Sequence, residues 1–351
     1  MKSVDYLIVG QGIVGSVMAL TLFRLGKSVV VIDQPKLSSS SKVAAGVYNP
    51  FNFRQAMNNW RALELVNSAQ NLYGYAEKIS NQKIHTERKI WKIFTNAAER
   101  KLWERACEER ENLCADEKIM DNFFQDTILS PFGLGGVNNA GSIDTVMLIN
   151  VVLEKLKENN NYFSEMFDYQ KLQINSNGIN YDERLFAKQL IFCEGYLNSN
   201  NPWFRYLPIK PAKGQLLYVY IPGLKTTEIL SKNCSLLPIG NERFILGSTF
   251  DNDVVDEKPT QAAEDDLLNR VKKFVSLPIY VENRLAGIRP AVQDRRPIIG
   301  THPNFPQLSI INGMGSKAVL LAPLLSEILI NHIENGLPIP VEVAINRFST
   351  P

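Results

Sequence analysis

Three glycines and one aspartate near the start of the chain have the types and the spacing of a dinucleotide-binding site. Gly10, Gly12 and Gly15 follow an apolar run that begins at Asp5, and Asp33 closes a second apolar run. In a strand–turn–helix–strand unit, the first glycine makes a tight turn and the second lets the backbone approach a pyrophosphate. The third lets helix and strand pack closely, and the acid accepts from a ribose hydroxyl. Because a helix N-terminus favours negative charge, the pattern predicts a bound dinucleotide there.

The same N-terminal stretch has an alternative interpretation as a signal peptide or membrane anchor. Lys2 is followed by a mostly apolar run that ends near Phe23. That run carries Asp5, Gln11 and the spaced glycines and lacks a small-residue cleavage site, which favours the nucleotide site. No other segment offers 18 uninterrupted apolar residues. We therefore expect a soluble protein without a membrane span.

Length and composition indicate a globular protein of two domains. The chain has 351 residues, more than one simple core usually holds, with 45% hydrophobic and 21% charged residues. The net charge of +2, with basic residues scattered among acids, does not indicate a nucleic-acid partner. The four cysteines have no CxxC spacing and the three histidines no metal-ligand spacing, so we expect neither a disulfide framework nor a metal. Cytoplasmic residence is the default expectation, and the oligomeric state stays open.

The rest of the chain predicts a mixture of helices and strands. Apolar residues at helical spacing predict helices over 54–79, over 96–113, from Ser142-Ile143-Asp144 to Lys157, and over 264–275. Strands are predicted over 88–95, in 171–195 around an Asn177-Gly178 hairpin turn, and, in a separate sheet, over 215–220 and 243–249. The segments 38–50 and 132–141 are predicted as loops. The last 60 residues or so predict strands, a glycine turn and a long apolar helix.

Four segments, in order along the chain, carry a resemblance to a known family. The first is the glycine fingerprint; the others are 41–50, Lys210-Pro211-Ala212-Lys213-Gly214-Gln215, and Gly287-Ile288-Arg289-Pro290 followed by 311–317 and Ala322-Pro323. In these motifs the chain resembles the amine-oxidising FAD flavoproteins, the superfamily of D-amino-acid oxidase, glycine oxidase and sarcosine oxidase. The resemblance covers essentially the whole chain.

The resemblance implies an α/β fold: a doubly wound, Rossmann-like FAD domain and a second, mostly antiparallel α+β substrate domain over the flavin. The implied FAD domain is discontinuous, with residues 1–53, 141–205 and 285–351, and residues 54–140 and 206–284 form the cap. FAD is expected to be noncovalent. The chain has no second glycine-rich βαβ unit, so we do not expect a reductase that also binds a nicotinamide cofactor.

The resemblance also implies which residues contact FAD. They are Gly10, Gln11, Gly12, Ile13, Val14, Gly15, Asp33, Gln34, Ser41, Lys42, Ala45, Gly46, Val47, Leu172, Gly195, Gly313, Met314, Gly315, Ser316 and Lys317. Residues 313–317 precede a helix, so their N–H groups could face the flavin's pyrimidine edge and stabilise the reduced ring. An ordinary helix-capping turn is the alternative. Lys42 and Lys317 are either cations near the ring or solvated lysines.

Arg289 is the strongest candidate for a residue that binds substrate. A planar guanidinium can hold a carboxylate through two parallel charge-assisted hydrogen bonds, which would fix the substrate carbon against the flavin. An internal ion pair or a flavin contact is the alternative, since Asp294, Arg295 and Arg296 follow closely. Tyr48 either bounds the substrate cavity or is a core aromatic.

We therefore expect an enzyme that oxidises a small amine or amino acid to an imine, with hydride transfer to FAD. In glycine oxidase the turn at 313–317 carries an additional arginine and an aromatic, whereas Met314, Ser316 and Lys317 stand here, so its substrate preference is not carried over. One alternative is an amine-trimming enzyme acting on a larger substrate such as modified tRNA; an attached methyltransferase domain and a basic tract are not seen in this sequence. The other is a non-catalytic flavoprotein subunit.

Overall fold

The computed structural model describes residues 1–34, 40–109, 113–116, 119–121 and 124–348. The strands are β1 (Lys2–Val9), β2 (Val29–Asp33), β3 (Val47–Tyr48), β4 (Phe51–Asn52), β5 (Met57–Asn58), β6 (His85–Glu87), β7 (Ile90–Ile93), β8 (Leu134–Val137), β9 (Gly141–Ile143), β10 (Tyr162–Ser164), β11 (Leu172–Asn175), β12 (Gly178–Tyr181), β13 (Leu185–Phe192), β14 (Ile209–Tyr220), β15 (Ile229–Ser231), β16 (Ser235–Gly240), β17 (Arg243–Gly247), β18 (Tyr280–Val292), β19 (Ile298–His302) and β20 (Phe305–Asn312). The helices are α1 (Ile13–Arg24), α2 (Ser40–Val43), α3 (Ala62–Ser80), α4 (Ala97–Glu109), α5 (Thr145–Glu158), α6 (Gln261–Val271) and α7 (Ala318–Asn335). Short 3-10 helices lie at Gln125–Thr127, Tyr169–Lys171, Gly195–Asn200 and Ile345–Arg347.

The first sheet is built around the predicted βαβ unit. β1 and β2 are parallel neighbours joined by α1, and the parallel order β10-β2-β1-β13 continues into β20 at the carboxyl end of β13. The antiparallel hairpin β11-β12 pairs with the first half of β13, and β19 pairs antiparallel with β20. The carboxyl ends of β1, β2, β13 and β20 therefore meet at one edge of the sheet, where ligands bind in open α/β sheets.

Apolar side chains cover both faces of this sheet. On one face, α1, α3, α5 and α7 pack in a continuous cluster with the strands. On the other face, the β11-β12 hairpin and the aromatic segment around Phe204 close a second cluster. Asp144 caps α5 by accepting from the backbone N–H of Met147 at 2.8 Å, so the predicted start signal at Ser142-Ile143-Asp144 acts as expected.

The second sheet has the order β18-β14-β17-β16-β15-β7-β8. Its pairs are antiparallel except β15 with β7, as predicted for the mostly antiparallel part. The predicted α/β class is confirmed. β18 runs through residue 285, where the sequence predicted a domain boundary, so the division of the chain into two domains stays a prediction.

Three predicted elements are wrong in part. Residues 132–141 were expected to be a loop but contain β8, because Gly135 and Gly136 make room for Trp103 and Asp116 instead of forming a turn. The helix predicted over 54–79 begins only at Ala62, since Asn52 accepts from the N–H groups of the next turn and the chain first forms the β4-β5 pair. The segment 38–50 contains α2 and β3; Ser38 and Ser39 lie outside the described residues, as do residues 110–112 of the helix predicted over 96–113.

Candidate active site

A cavity of about 590 Å³ lies where the carboxyl edge of the first sheet meets the second sheet. Its wall comes from the β1–α1 turn, the end of β2, the segment from α2 to β3, the end of β13 and the turn before α7. The second sheet contributes side chains from β14, β16, β17 and β18. The cavity includes most of the predicted site: Gly10, Gln11, Gly12, Ile13, Val14, Asp33, Gln34, Ser41, Lys42, Ala45, Gly46, Val47, Gly195, Arg289, Met314, Gly315 and Ser316.

The β1–α1 turn depends on glycine at two positions. Gly10 has a φ of 95°, and a Cβ atom there would lie 2.6 Å from the carbonyl oxygen of Cys193 on the neighbouring strand. Gly15 faces the backbone of Gly10, so a Cβ atom at Gly15 would overlap the Gly10 carbonyl. Gly10 keeps the turn against β13, and Gly15 keeps α1 against β1, although Gly15 is not part of the cavity wall.

Backbone N–H groups at and before the N-terminus of α1 bond to side chains of this wall. Gln11 donates its backbone N–H to Oδ1 of Asp33 at 3.0 Å, and Ile13 donates to the Ser41 hydroxyl at 2.9 Å. Burial raises the pKa of the Asp33 carboxyl, while the Gln11 N–H and Lys42 act in the opposite direction. The Oε1 atom of Gln34 is buried and accepts no hydrogen bond from the part of the chain that the structure describes. The end of β2 thus offers two polar acceptors toward a ligand.

The segment that follows α2 packs between the two sheets. Gly46 has a φ of 69° and contacts the carbonyl of Ile143 so closely that a side chain would not fit. Gly287 of β18 makes room for α2 in the same way, since its Cβ would lie 3.1 Å from the Cα of Ser40. The two glycines hold residues 40–47 along the cavity.

Arg289 reaches into the cavity from β18. Its guanidinium lies directly against Gly214 on β14 and donates from Nη1 to the carbonyl oxygen of Thr249 at 3.1 Å. It forms no ion pair with any residue that the structure describes. Burial lowers its pKa from the ordinary arginine value, which leaves it cationic at neutral pH.

The turn before α7 is fixed by backbone hydrogen bonds. The N–H of Gly315 donates to the carbonyl of Pro290 at 3.0 Å, next to Arg289 in the chain. Asn312 donates from Nδ2 to the carbonyl of Gly195 at 2.9 Å and accepts from the N–H of Gly313 at 2.7 Å. Lys317 points away from the cavity wall toward Asn59, and desolvation together with Arg296 and Arg295 lowers its pKa.

The structure does not bring five predicted residues to the cavity wall: Gly15, Tyr48, Leu172, Gly313 and Lys317. Tyr48 is buried in the core and its hydroxyl bonds to Nε2 of His85 at 2.7 Å, because alternate residues of β3 face opposite sides. Leu172 begins β11, and the cavity is lined instead by residues before it, namely Tyr162, Glu165, Met166, Phe167 and Tyr169. Gly313 packs against Val292, which leaves Met314 to Ser316 on the wall.

Several cavity residues were missed by the sequence analysis. Glu194 follows β13, Asn312 ends β20, and Tyr169 and Phe167 lie before β11. The signal that could have found the first two is their place, directly at the carboxyl end of a buried parallel strand. Among the described residues no cluster of histidine, cysteine, aspartate or glutamate could hold a metal ion. The described helices also include none with the length and apolar character to cross a membrane.

Comparison with known proteins identifies the family. The model of the DAO family, described as FAD dependent oxidoreductase, matches residues 5–332. The chain belongs to the DAO family. It is therefore an FAD-dependent oxidoreductase, and the non-catalytic alternative is set aside.

Members of the DAO family and proteins of the same fold include several oxidases. A curated relative from Leptospira borgpetersenii serovar Hardjo-bovis (strain JB197), named tRNA 5-methylaminomethyl-2-thiouridine biosynthesis bifunctional protein MnmC, is 26% identical over 96% of this chain. The chain spans 58% of the length of that relative. The crystal structure of iminodiacetate oxidase from Chelativorans sp. BNC1 has a TM-score of 0.80 at 19% identity and covers 99% of both chains. That of glycine oxidase from Geobacillus kaustophilus has a TM-score of 0.79 at 17% identity, covering 100% of this chain and 99% of the other.

The cavity fits the FAD of the DAO family. The space kept clear by Gly10 before the N-terminus of α1 and the unpartnered Gln34 oxygen would fit a pyrophosphate and its adenosine. The part of the wall between α2, β18 and the turn before α7 would then contact the flavin ring. The residues that would hold the cofactor are thus those at the carboxyl edge of the first sheet.

Proposed function

We propose that this enzyme oxidises a small amine or amino acid that carries a carboxylate, with Arg289 as the carboxylate anchor. The observation that carries the proposal is a half-buried guanidinium on the cavity wall that no carboxylate of the described chain neutralises. Removing a charge from water without an opposite charge is costly, so such a group favours an anionic ligand.

The surroundings of Arg289 support a substrate with a single anionic group. Leu216, Leu237 and Ile245 face the cavity from the second sheet, with Ser235 among them. The described lining residues on this side include no second cation that could pair with a further carboxylate. We infer a monocarboxylate whose remaining substituent is apolar or small.

The chain's own residues position the reaction. When bound, FAD would accept a hydride from the carbon that bears the amine. Arg289 holds the substrate carboxylate, and its bond to Thr249 fixes the direction of the guanidinium fork. The apolar side chains of Leu216, Leu237 and Ile245 exclude water from that carbon during transfer. Loss of the hydride and of the amine proton gives an imine, which water hydrolyses to a carbonyl compound and a free amine or ammonia.

A second candidate function is trimming of an amine-bearing group on a larger substrate such as modified tRNA. The Leptospira relative, whose name includes tRNA 5-methylaminomethyl-2-thiouridine biosynthesis, covers almost the whole chain. Arg295 and Arg296 lie close enough to Lys317 to lower its pKa, and neither arginine side chain forms an ion pair within the described residues. This cationic cluster next to the turn before α7 favours a substrate with further anionic groups.

Anaerobic flavin reduction tests both candidates. Holoenzyme is mixed with glycine, sarcosine, iminodiacetate, apolar D- and L-amino acids, their decarboxylated amines, and total cellular tRNA, while the flavin absorbance band is followed. Bleaching by a carboxylated small amine supports the first candidate. Bleaching by tRNA together with indifference to every small amine would overturn it in favour of the second.

A further inference from the structure

Glu194 is a partly buried acid at the carboxyl edge of the first sheet. It lies two residues after the end of β13, lines the cavity, and lies beside the glycine turn: a Cβ atom on Gly10 would be 3.5 Å from the Glu194 Cα. This places an acidic residue next to the turn against which the pyrophosphate of FAD binds.

The carboxyl group of Glu194 is held by neutral partners. The hydroxyl of Tyr169 donates to Oε1, and Nδ2 of Asn201 donates to Oε2 at 2.7 Å. No lysine, arginine or histidine of the described chain pairs with it. Burial raises the pKa of Glu194 to about 7, against the opposite effect of the two hydrogen bonds. Both the neutral and the charged form of the Glu194 carboxyl are therefore accessible near physiological pH.

The titratable groups around Glu194 supply no compensating positive charge. Burial raises the pKa of Tyr169 and of the Cys193 thiol, so both are neutral. Asp33 ends β2, which β1 separates from β13, and the carboxylate of Glu165, on the same wall, is already paired with Arg184. A carboxyl group accepts a hydrogen bond from a ribose hydroxyl best when it is ionised. If Asp33 does so, FAD binding would make Asp33 release a proton, which is the opposite of proton uptake.

We propose that Glu194 binds FAD as the neutral acid and takes up a proton when the cofactor enters. The reason is the repulsion that two phosphate charges would exert on a partly buried carboxylate beside the same glycine turn. The proton comes from solvent, and the carboxylate becomes a carboxylic acid that can donate to Tyr169 or to the ligand. Glu194 would thus couple cofactor retention to pH.

The sign of the pH effect follows from linkage. Below the pKa that Glu194 has in the cofactor-free protein, Glu194 is protonated both with and without FAD, and the affinity for FAD does not change with pH. Above that pKa, and up to the higher pKa of the complex, binding requires one proton, so the affinity for FAD falls by up to about tenfold per pH unit. Retention is therefore predicted to be weakest in alkaline buffer.

The test measures the Kd of FAD for the apoprotein by fluorescence at constant ionic strength, at pH 6.5, 7.5 and 8.5. We expect wild type to bind about tenfold more weakly at pH 8.5 than at pH 7.5, and Glu194→Gln to change by less than about threefold. Glu154→Gln, on the exposed side of α5 and outside the cavity wall, is the control and is expected to keep the wild-type slope. A flat wild-type profile, or the same slope in Glu194→Gln, would overturn the proposal.

A measurement on the wild type alone avoids any folding defect of the variant. Titration calorimetry of apoprotein with FAD at pH 8, in buffers with different ionisation enthalpies, reports the protons taken up. We expect uptake that approaches one proton per FAD. No uptake, or release of a proton, would contradict the assignment.

Discussion

The guanidinium of Arg289 occupies the space that a side chain at position 214 would need. Gly214 on β14 and Gly287 on β18 are paired in register, and Arg289 folds back across Gly214 toward Thr249. The guanidinium of the proposed anchor can lie there only because residue 214 is glycine, although Gly214 contributes no chemical group itself.

Replacement of this glycine tests the anchor without removing it. Gly214→Ala is expected to displace the flexible guanidinium while the protein folds and keeps FAD, and to lower kcat/KM for a carboxylated amine by tenfold or more. Gly74→Ala is the matched control, since a Cβ atom there meets nothing within 4 Å. The measurement is steady-state kinetics, with the flavin content of each variant determined in parallel. An unchanged kcat/KM in Gly214→Ala would argue against an anchoring role of Arg289.

The glycine turn predicts a graded loss of cofactor. Gly12→Val places a branched side chain at the N-terminus of α1, where the pyrophosphate binds, and is expected to abolish FAD retention in folded protein. Asp33→Ala removes one acceptor and is expected to cost on the order of 1–3 kcal/mol of binding. Absorbance after gel filtration measures bound FAD, and circular dichroism confirms the fold. Full FAD content in folded Gly12→Val would contradict the placement of the pyrophosphate.

Nicotinamide cofactors are expected to be poor reductants of the flavin. The unit β1-α1-β2 is the one glycine-headed βαβ unit within the described ranges of the chain. Anaerobic addition of NADH or NADPH is therefore expected to leave the flavin absorbance unchanged over the time in which a good amine bleaches it. Rapid stoichiometric reduction would favour a reductase over an amine-oxidising enzyme.

The cationic cluster separates the two candidate functions. The double variant Arg295→Ala, Arg296→Ala is expected to alter kcat/KM for a small amine by less than about threefold, because neither side chain lines the cavity. If tRNA is the substrate, the same variant is expected to bind it several-fold more weakly, with a reduced salt dependence. Filter binding at two salt concentrations, next to steady-state kinetics, distinguishes these results.

Local sequence signals predicted the parts of the site that lie close together in the chain. The strand, glycine turn and helix from β1 to α1 and the acid that ends β2 follow from spacing alone, and the structure brings them to one cavity. Val47 and Tyr48 show where such reasoning stops. Val47 was expected at the site, and Tyr48 either at the cavity or in the core. Because β3 turns successive side chains to opposite faces, Val47 lines the cavity and Tyr48 enters the core.

Contacts between distant segments could not be predicted. The place of Arg289 depends on the pairing of β14 with β18, and the place of Glu194 depends on β13 lying beside β1. Gly135 and Gly136 gave a turn signal, whereas their actual task is to let Trp103 and Asp116 pack against β8. A glycine chosen for close packing and one chosen for a turn give the same sequence signal.

The most direct test compares a carboxylated amine with its decarboxylated analogue in wild type, Arg289→Lys and Arg289→Ala, by anaerobic flavin reduction at matched FAD content. We expect Arg289→Lys to lower the efficiency for the carboxylated amine by about tenfold or more, since it keeps the charge but loses the fork. Arg289→Ala is expected to cost on the order of 2–5 kcal/mol, and the analogue is expected to be nearly indifferent to both changes. Equal losses for the two substrates, or loss of FAD itself, would contradict Arg289 as the substrate anchor.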